Sequence, residues 1–263
     1  LNGGSANVAN TSFKGVQATN DGGAINVAAG SNATIFGATF ENSSATTGGA
    51  IYNAGDVKIV GASFTGNTAE GEGGAIYSED GSSLVLEAKQ GETTAVVFEA
   101  NSAASGAALY ADTPVRVNGD IIARQNVASG SYGAVYVNGR LNVTGHAIFE
   151  GNEANDVAAL NVSAETVIGG SLKLLNNVSK GSTGAAYFGT SASVGSLELV
   201  GNTSAEDGNA LYAVGSIVVG DYALVSGNSA NGVVTGGSIQ IDGDATVKDN
   251  AAVGLKASGF VKI

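Results

Sequence analysis

The 263-residue sequence has no cysteine, methionine or tryptophan, a single proline (Pro114) and a single histidine (His146). Without cysteine there can be no disulfide, thiolate metal site, thiol nucleophile or haem-attachment motif. Basic residues are also scarce, with 11 Lys and Arg against 23 Asp and Glu, a formal net charge of −12, and arginine only at Arg116, Arg124 and Arg140. Affinity for nucleic acid rests on neutralising backbone phosphates with Lys and Arg, so nucleic acid is excluded as a partner. No apolar run approaches the roughly eighteen residues of a membrane-spanning helix, and residues 1–10 lack the basic and apolar regions of a signal peptide. No membrane span is expected in this chain. Its start at Leu1 is expected to mark a processed or excised piece of a longer protein.

What the sequence has in excess is glycine, 41 of 263 residues, together with β-branched and aromatic residues that recur at fixed places. That recurrence argues against disorder. Gly22-Gly23-Ala24-Ile25 returns as Gly48-Gly49-Ala50-Ile51 and Gly73-Gly74-Ala75-Ile76. Followed by its large apolar residue, the repeat runs Ile25, Ile51, Ile76, Leu109, Val135, Leu160, Tyr187, Leu211, Ile239 and Leu255. A second column runs Asn67, Asn101, Asn126, Asn152, Asn177, Asn202, Asn228 and Asn250. Both columns step by about 25 residues, and both step by 33 or 34 across the same stretch. One repeat therefore carries an insertion between Ile76 and Asn101, and the register on either side is kept.

The local period decides what a repeat builds. Segments such as 57–60 (VKIV), 115–117 (VRV), 141–143 (LNV) and 216–219 (SIVV) are short, β-branched or alternating, and bounded by Gly, Asn or Asp, which marks strands. Gly and Asn recur too densely for a helical repeat. Each repeat divides into about three short strands: the Gly-Gly-Ala segment, a central strand ending at a glycine, and a strand ending in the column Asn. The expected fold is all-β, a single-stranded parallel β-helix of about ten coils forming one domain over residues 1–263. Coils stacked at the interstrand spacing give a rod about 45–50 Å long.

Stacking explains the columns. One coil cannot bury its own apolar face, so the Ile/Leu/Val column is a core stack built by neighbours. The small residue before it marks a tight place. The residue after it is Tyr52, Tyr77, Tyr110, Tyr136, Phe188 or Tyr212, with Asn26, Asn161 or Gln240 elsewhere. Strand alternation points it outward, as an exposed aromatic ladder. The Asn column is read as a structural ladder in which side-chain amides bond from layer to layer, at a turn where Asn tolerates the left-handed region.

Phe64-Thr65-Gly66-Asn67, Phe98-Glu99-Ala100-Asn101 and Phe149-Glu150-Gly151-Asn152, alternating with the Gly-Gly-Ala-Ile tetrads, resemble the FxxN and GGA[ILV] repeats of chlamydial polymorphic membrane proteins. The resemblance implies a right-handed β-helical passenger of the autotransporter type, displayed outside the cell and associated with adhesion. The motif weakens after Asn152, and no cysteine or C-terminal outer-membrane barrel accompanies it.

β-Helices also host polysaccharide lyases and glycosidases, which need clustered cations or paired acids. The richest acidic patch, Asp242-Gly243-Asp244 with Asp249, suits turns beside glycine better than calcium. His146 lacks a nucleophile context such as a Gly-x-Ser-x-Gly elbow. The expectation is a non-catalytic protein without metal or cofactor, serving as adhesin, passenger or display stalk. A host or cell-surface receptor or a glycan is the expected partner. The alternative is a filament subunit that stacks end to end through open β-helix edges, and a carbohydrate-active enzyme ranks third. The insertion near 87–94, with Glu87, Lys89, Gln90 and Glu92, is the candidate contact site, since excursions from solenoids often bind.

Overall fold

The computed structural model describes residues 1–205 and 208–263. Among these there is no helix, and every strand pairing is parallel to the same element of the neighbouring coil. The result is a β-solenoid of about ten turns. The Gly-Gly-Ala strands, from Ile25–Val27 to Leu255–Ala257, form one ten-stranded sheet. The central and Asn-ended strands share a single bent sheet of 19 strands. In two coils they run on without a break, as Thr166–Leu175 and Ala192–Val200. Two-residue strands just beyond the Asn, from Ser44–Ala45 to Val178–Ser179, add a six-stranded sheet along a narrow edge.

Alternation along each strand sends one residue in two to the axis. Phe13, Phe40, Phe64 and Phe98 stack there with ring centroids 4.9, 4.7 and 5.2 Å apart, and the last three are fully buried. Burying a side chain of this size contributes about 1.5–3 kcal/mol, which no coil obtains without its neighbours.

The turn that follows these phenylalanines is the same in all ten coils. Its third residue has positive φ throughout: Gly15, Asn42, Gly66, Ala100, Gln125, Gly151, Asn176, Gly201, Gly227 and Asp249. The left-handed residue is thus the one before the column Asn, not the Asn itself. The Asn turns inward and is 0–1% exposed from Asn67 to Asn228. Each Nδ2 donates to a carbonyl of the preceding coil and to Oδ1 of the next Asn, as in Asn67 to Phe40 O at 3.0 Å and to Asn101 Oδ1 at 2.9 Å. That Oδ1 also accepts the Asn67 backbone N–H at 2.9 Å, and the pattern continues to Asn250. The expected ladder is present, and it satisfies buried turn amides that no strand can reach.

The two glycines of Gly-Gly-Ala do different work. Gly22, Gly48 and Gly73 have φ of 62–70°, where a Cβ costs energy. Gly74 is a close approach: a Cβ there would lie 2.2 Å from Ala107 O and 2.4 Å from Ser102 O. Where the chain replaces the first glycine by Tyr132 or Val157, the turn is no longer left-handed and a parallel bridge joins the two. The motif weakens there because the backbone no longer demands it.

Two expected positions move. The apolar column passes through Ala186 and Val233, so Tyr187 faces Asn161 and Tyr212 on the outside while Phe188 is buried. A one-residue slip exchanges faces, and Ala186 is too small to announce itself beside Tyr187. An irregular register between Thr183 and Ala186 compounds it. Ile239 belongs to the central sheet, between Ile217 and Val261. With Val233 in its place, the last two column steps are both 22 residues, so the final coils are simply shorter.

Candidate binding surface

The insertion leaves the solenoid after Ser83–Glu87 and rejoins it at Thr94–Glu99. Glu87 is still part of the strand, held by Lys58 Nζ at 2.7 Å and by Asn118 Nδ2 at 3.1 Å. The hydrogen bond from Lys58 keeps its carboxyl below the ordinary value, against an opposing effect of burial. Lys89 folds back across two earlier coils, with Nζ 5.9 Å from the centre of the Phe36 ring. Its stem lies on Gly61, where a Cβ would meet the Lys89 Cγ at 2.5 Å. A tight turn then closes through Glu92 N–H to Lys89 O at 3.0 Å, leaving Gln90 and Glu92 exposed. Of the four sequence-predicted contact residues, Glu87 and Lys89 fasten the loop, and Gln90 and Glu92 form its free crest.

The loop stands as a ridge between two open grooves. One, of about 350 Å³, lies over Gly37, Gly61, Ser63 and Val97. The other, of about 530 Å³, lies over Asn118, Asp120, Thr144 and His146. Lys89 borders the first, and Glu92 borders both. His146 in the second groove is already engaged: its Nδ1 accepts the Ser171 N–H at 2.9 Å, and its own backbone N–H donates to Asp120 Oδ1 at 2.7 Å. This is a turn clamp.

Residues 61–79 match the Chlamydia polymorphic membrane protein repeat. No curated protein and no solved structure is significantly similar to the chain. The matched stretch takes in one Phe64-Thr65-Gly66-Asn67 turn and one Gly73-Gly74-Ala75-Ile76 segment, in the coil that precedes the insertion. In this polymorphic-membrane-protein-like unit the first motif supplies the stacked phenylalanine, the left-handed residue and the ladder Asn. The second supplies the left-handed glycine and the close approach. Both motifs are therefore architectural, and binding has to use what points outward.

Outward, on the ten-stranded sheet, Tyr52, Tyr77, Tyr110 and Tyr136 form a half-buried stack with centroids 5.4, 5.6 and 4.6 Å apart. Desolvation, reinforced by Glu79, pushes the Tyr52 phenol up to about 12, and desolvation with Asp112 raises Tyr77 further. The stack breaks at Asn161 and resumes with Tyr187 and Tyr212, 5.9 Å apart. A hollow of about 310 Å³ lies at the break. The sequence shows Asn161 in the outward column, but reading Tyr187 as a core residue hides that an aromatic closes the gap from below.

Among the described residues, seven of the 11 basic side chains form ion pairs, such as Lys14–Glu41 at 3.2 Å and Lys173–Glu198 at 2.8 Å. Exposed pairs contribute little stability, yet they neutralise cations that an anionic ligand would need. The acidic patch disperses: Asp242 accepts Gln240 Nε2 at 2.6 Å, and Asp249 occupies the left-handed turn position. Among the described residues no three His, Cys, Asp or Glu side chains come together as a metal site.

Proposed function

We propose that the chain is the extracellular solenoid of a bacterial surface protein, a non-catalytic passenger that serves as an adhesin or display stalk. One observation carries this reading: the segment matching the Chlamydia polymorphic membrane protein repeat contains the turn that every coil of the rod repeats. That family name speaks of a membrane protein, and a rod with a continuous inner core leaves its outer faces free for contact. The engaged His146 and the dispersed aspartates favour binding over catalysis.

The test has two arms. Proteolysis of intact cells of the bacterium that makes the protein, followed by immunoblotting, is expected to remove the solenoid while a cytoplasmic marker survives; equal protection of both would overturn surface display. Fluorescently labelled full chain is expected to bind host-cell monolayers saturably, and binding no greater than that of an unrelated acidic protein would overturn the adhesin role.

A further inference from the structure

The break in the tyrosine stack brings together a hollow, an unstacked tyrosine face and a side-chain amide unbonded to the chain. Six of ten layers of the outward column are aromatic, and Asn161 interrupts them between Tyr136 and Tyr187. Those two layers are about 9.5 Å apart along the rod. On one side Tyr132 stacks on Tyr136 at 4.5 Å, and on the other Tyr187 stacks on Tyr212. The face of Tyr187 toward the hollow has no aromatic neighbour among the described residues. The volume of about 310 Å³ lies at the lower end of the range for small-molecule sites.

Asn161 lines this hollow and is only 7% exposed, yet its side-chain amide makes no hydrogen bond to any described residue. The buried ladder asparagines contrast with it, since each has its amide bonded on both sides. The Asn161 amide therefore opens into the hollow with its hydrogen-bonding capacity unused by the chain, and a ligand there can take the place of water on it. Thr183 and Asp156 add a hydroxyl and a carboxylate; the carboxylate accepts the Thr183 backbone N–H at 3.1 Å through one oxygen.

We propose that this break is a subsite for one neutral pyranose ring of a glycan. The C–H face of the sugar would lie on Tyr187, and its hydroxyls would exchange hydrogen bonds with Asn161, Asp156 and Thr183. No Lys or Arg borders the hollow. A carboxylate-bearing sugar would meet Asp156 without a compensating cation, so uronic and sialic acids are disfavoured. An aromatic side chain of a protein partner would fit the stack but leave the amide and carboxylate unanswered. The proposal deepens the surface-ligand reading above and rests on it.

Saturation-transfer NMR on the full chain, with methyl β-glucoside, β-galactoside and β-N-acetylglucosaminide as probes, tests it. Methyl β-glucuronide and N-acetyltyrosine amide are the controls. At least one neutral sugar is expected to receive saturation at its ring protons, with affinity at least about tenfold above the glucuronide. Asn161→Tyr, which continues the stack, is expected to abolish that signal while keeping the wild-type circular dichroism. If that variant misfolds, Thr183→Val is the deciding variant, with an expected weakening of about threefold or more. Silence from every neutral sugar, equal binding by the folded Asn161→Tyr variant, or preference for the glucuronide or the tyrosine amide would each overturn the subsite. Cell binding that persists in Asn161→Tyr would remove the subsite alone and leave the surface reading standing.

Discussion

Replacing Asn126 by alanine removes both ends of a fully buried relay in a turn of the rod. Its Oδ1 accepts the Asn101 N–H and Asn101 Nδ2, both at 3.0 Å, and its Nδ2 donates to Phe98 O at 3.2 Å and to Asn152 Oδ1 at 3.0 Å. Alanine strands the Asn101 backbone donor outright and one of its two amide hydrogens, at a residue that is 0% exposed. Each stranded buried donor costs about 1–3 kcal/mol, and the vacated space adds a cavity, so a loss of about 3–5 kcal/mol is expected. Asn250→Ala is the comparison. It removes equivalent bonds to Asn228, but Asn250 is partly exposed and water can replace it, so about 1–2 kcal/mol is expected. A solenoid need not unfold in two states. Urea midpoints are therefore best joined to hydrogen exchange at the Asn101 amide, which should lose protection selectively in Asn126→Ala. Equal losses for the two variants, or unchanged Asn101 exchange, would refute the claim that the ladder holds the turn through buried donors.

Other expectations follow from the same geometry. Ala100→Gly and Gln125→Gly, at φ of 54°, should each stabilise the chain by about 1 kcal/mol, seen as a raised thermal midpoint. Gly74→Ala, with backbone oxygen 2.2 Å from the new Cβ, should cost more than about 3 kcal/mol. Gly30→Ala, at φ of 73° with nothing within 4 Å, should cost only about 1 kcal/mol. Glu87 is held below the ordinary carboxylate value; Glu198 is too, since hydrogen bonds from Lys173 and Tyr222 outweigh the upward pull of burial. Their stabilisation is complete above the unfolded value of 4.5 and fades as pH falls through the lower folded values, so Glu87→Gln should flatten the acid limb of a stability–pH curve. Deleting 88–93, which spares the Glu87–Lys58 pair, should keep the fold and weaken host-cell binding; unchanged binding would clear the loop of a contact role.

Much of the fold was legible in the sequence because stacking forces each layer to repeat the last. The 25-residue period, the ladder from Asn67 to Asn250 and the insertion all follow from columns that cannot drift without breaking every neighbour. What failed to read through was local. The left-handed residue hides because Ala100 and Gln125 hold it in two coils, where glycine would have advertised it. Ala186 hides because its volume is too small to distinguish inside from outside next to Tyr187 and Phe188. The insertion could be located, but not that Lys89 would lie back over Gly61 and leave Gln90 and Glu92 at the crest. That depends on a cation finding Phe36 across two coils, a contact with no sequence period.

Repetition also says where specificity can reside. A residue in a column is answered by its copies above and below, so its polar groups are already satisfied: Asn126 bonds Asn101 and Asn152, and Tyr110 stacks on Tyr77 and Tyr136. Such positions have little left to offer a ligand. A departure from the column breaks that closure and exposes unanswered chemistry at one height on the rod. Asn161 in a tyrosine column is one departure, and the loop after Glu87 is another. They are three coils apart on different faces, so a long ligand or a broad receptor would have to wrap the rod to reach both. Independent engagement is the simpler consequence: Asn161→Tyr and deletion of 88–93 should act additively on any shared cell-binding signal, and strong non-additivity would show one contact spanning both.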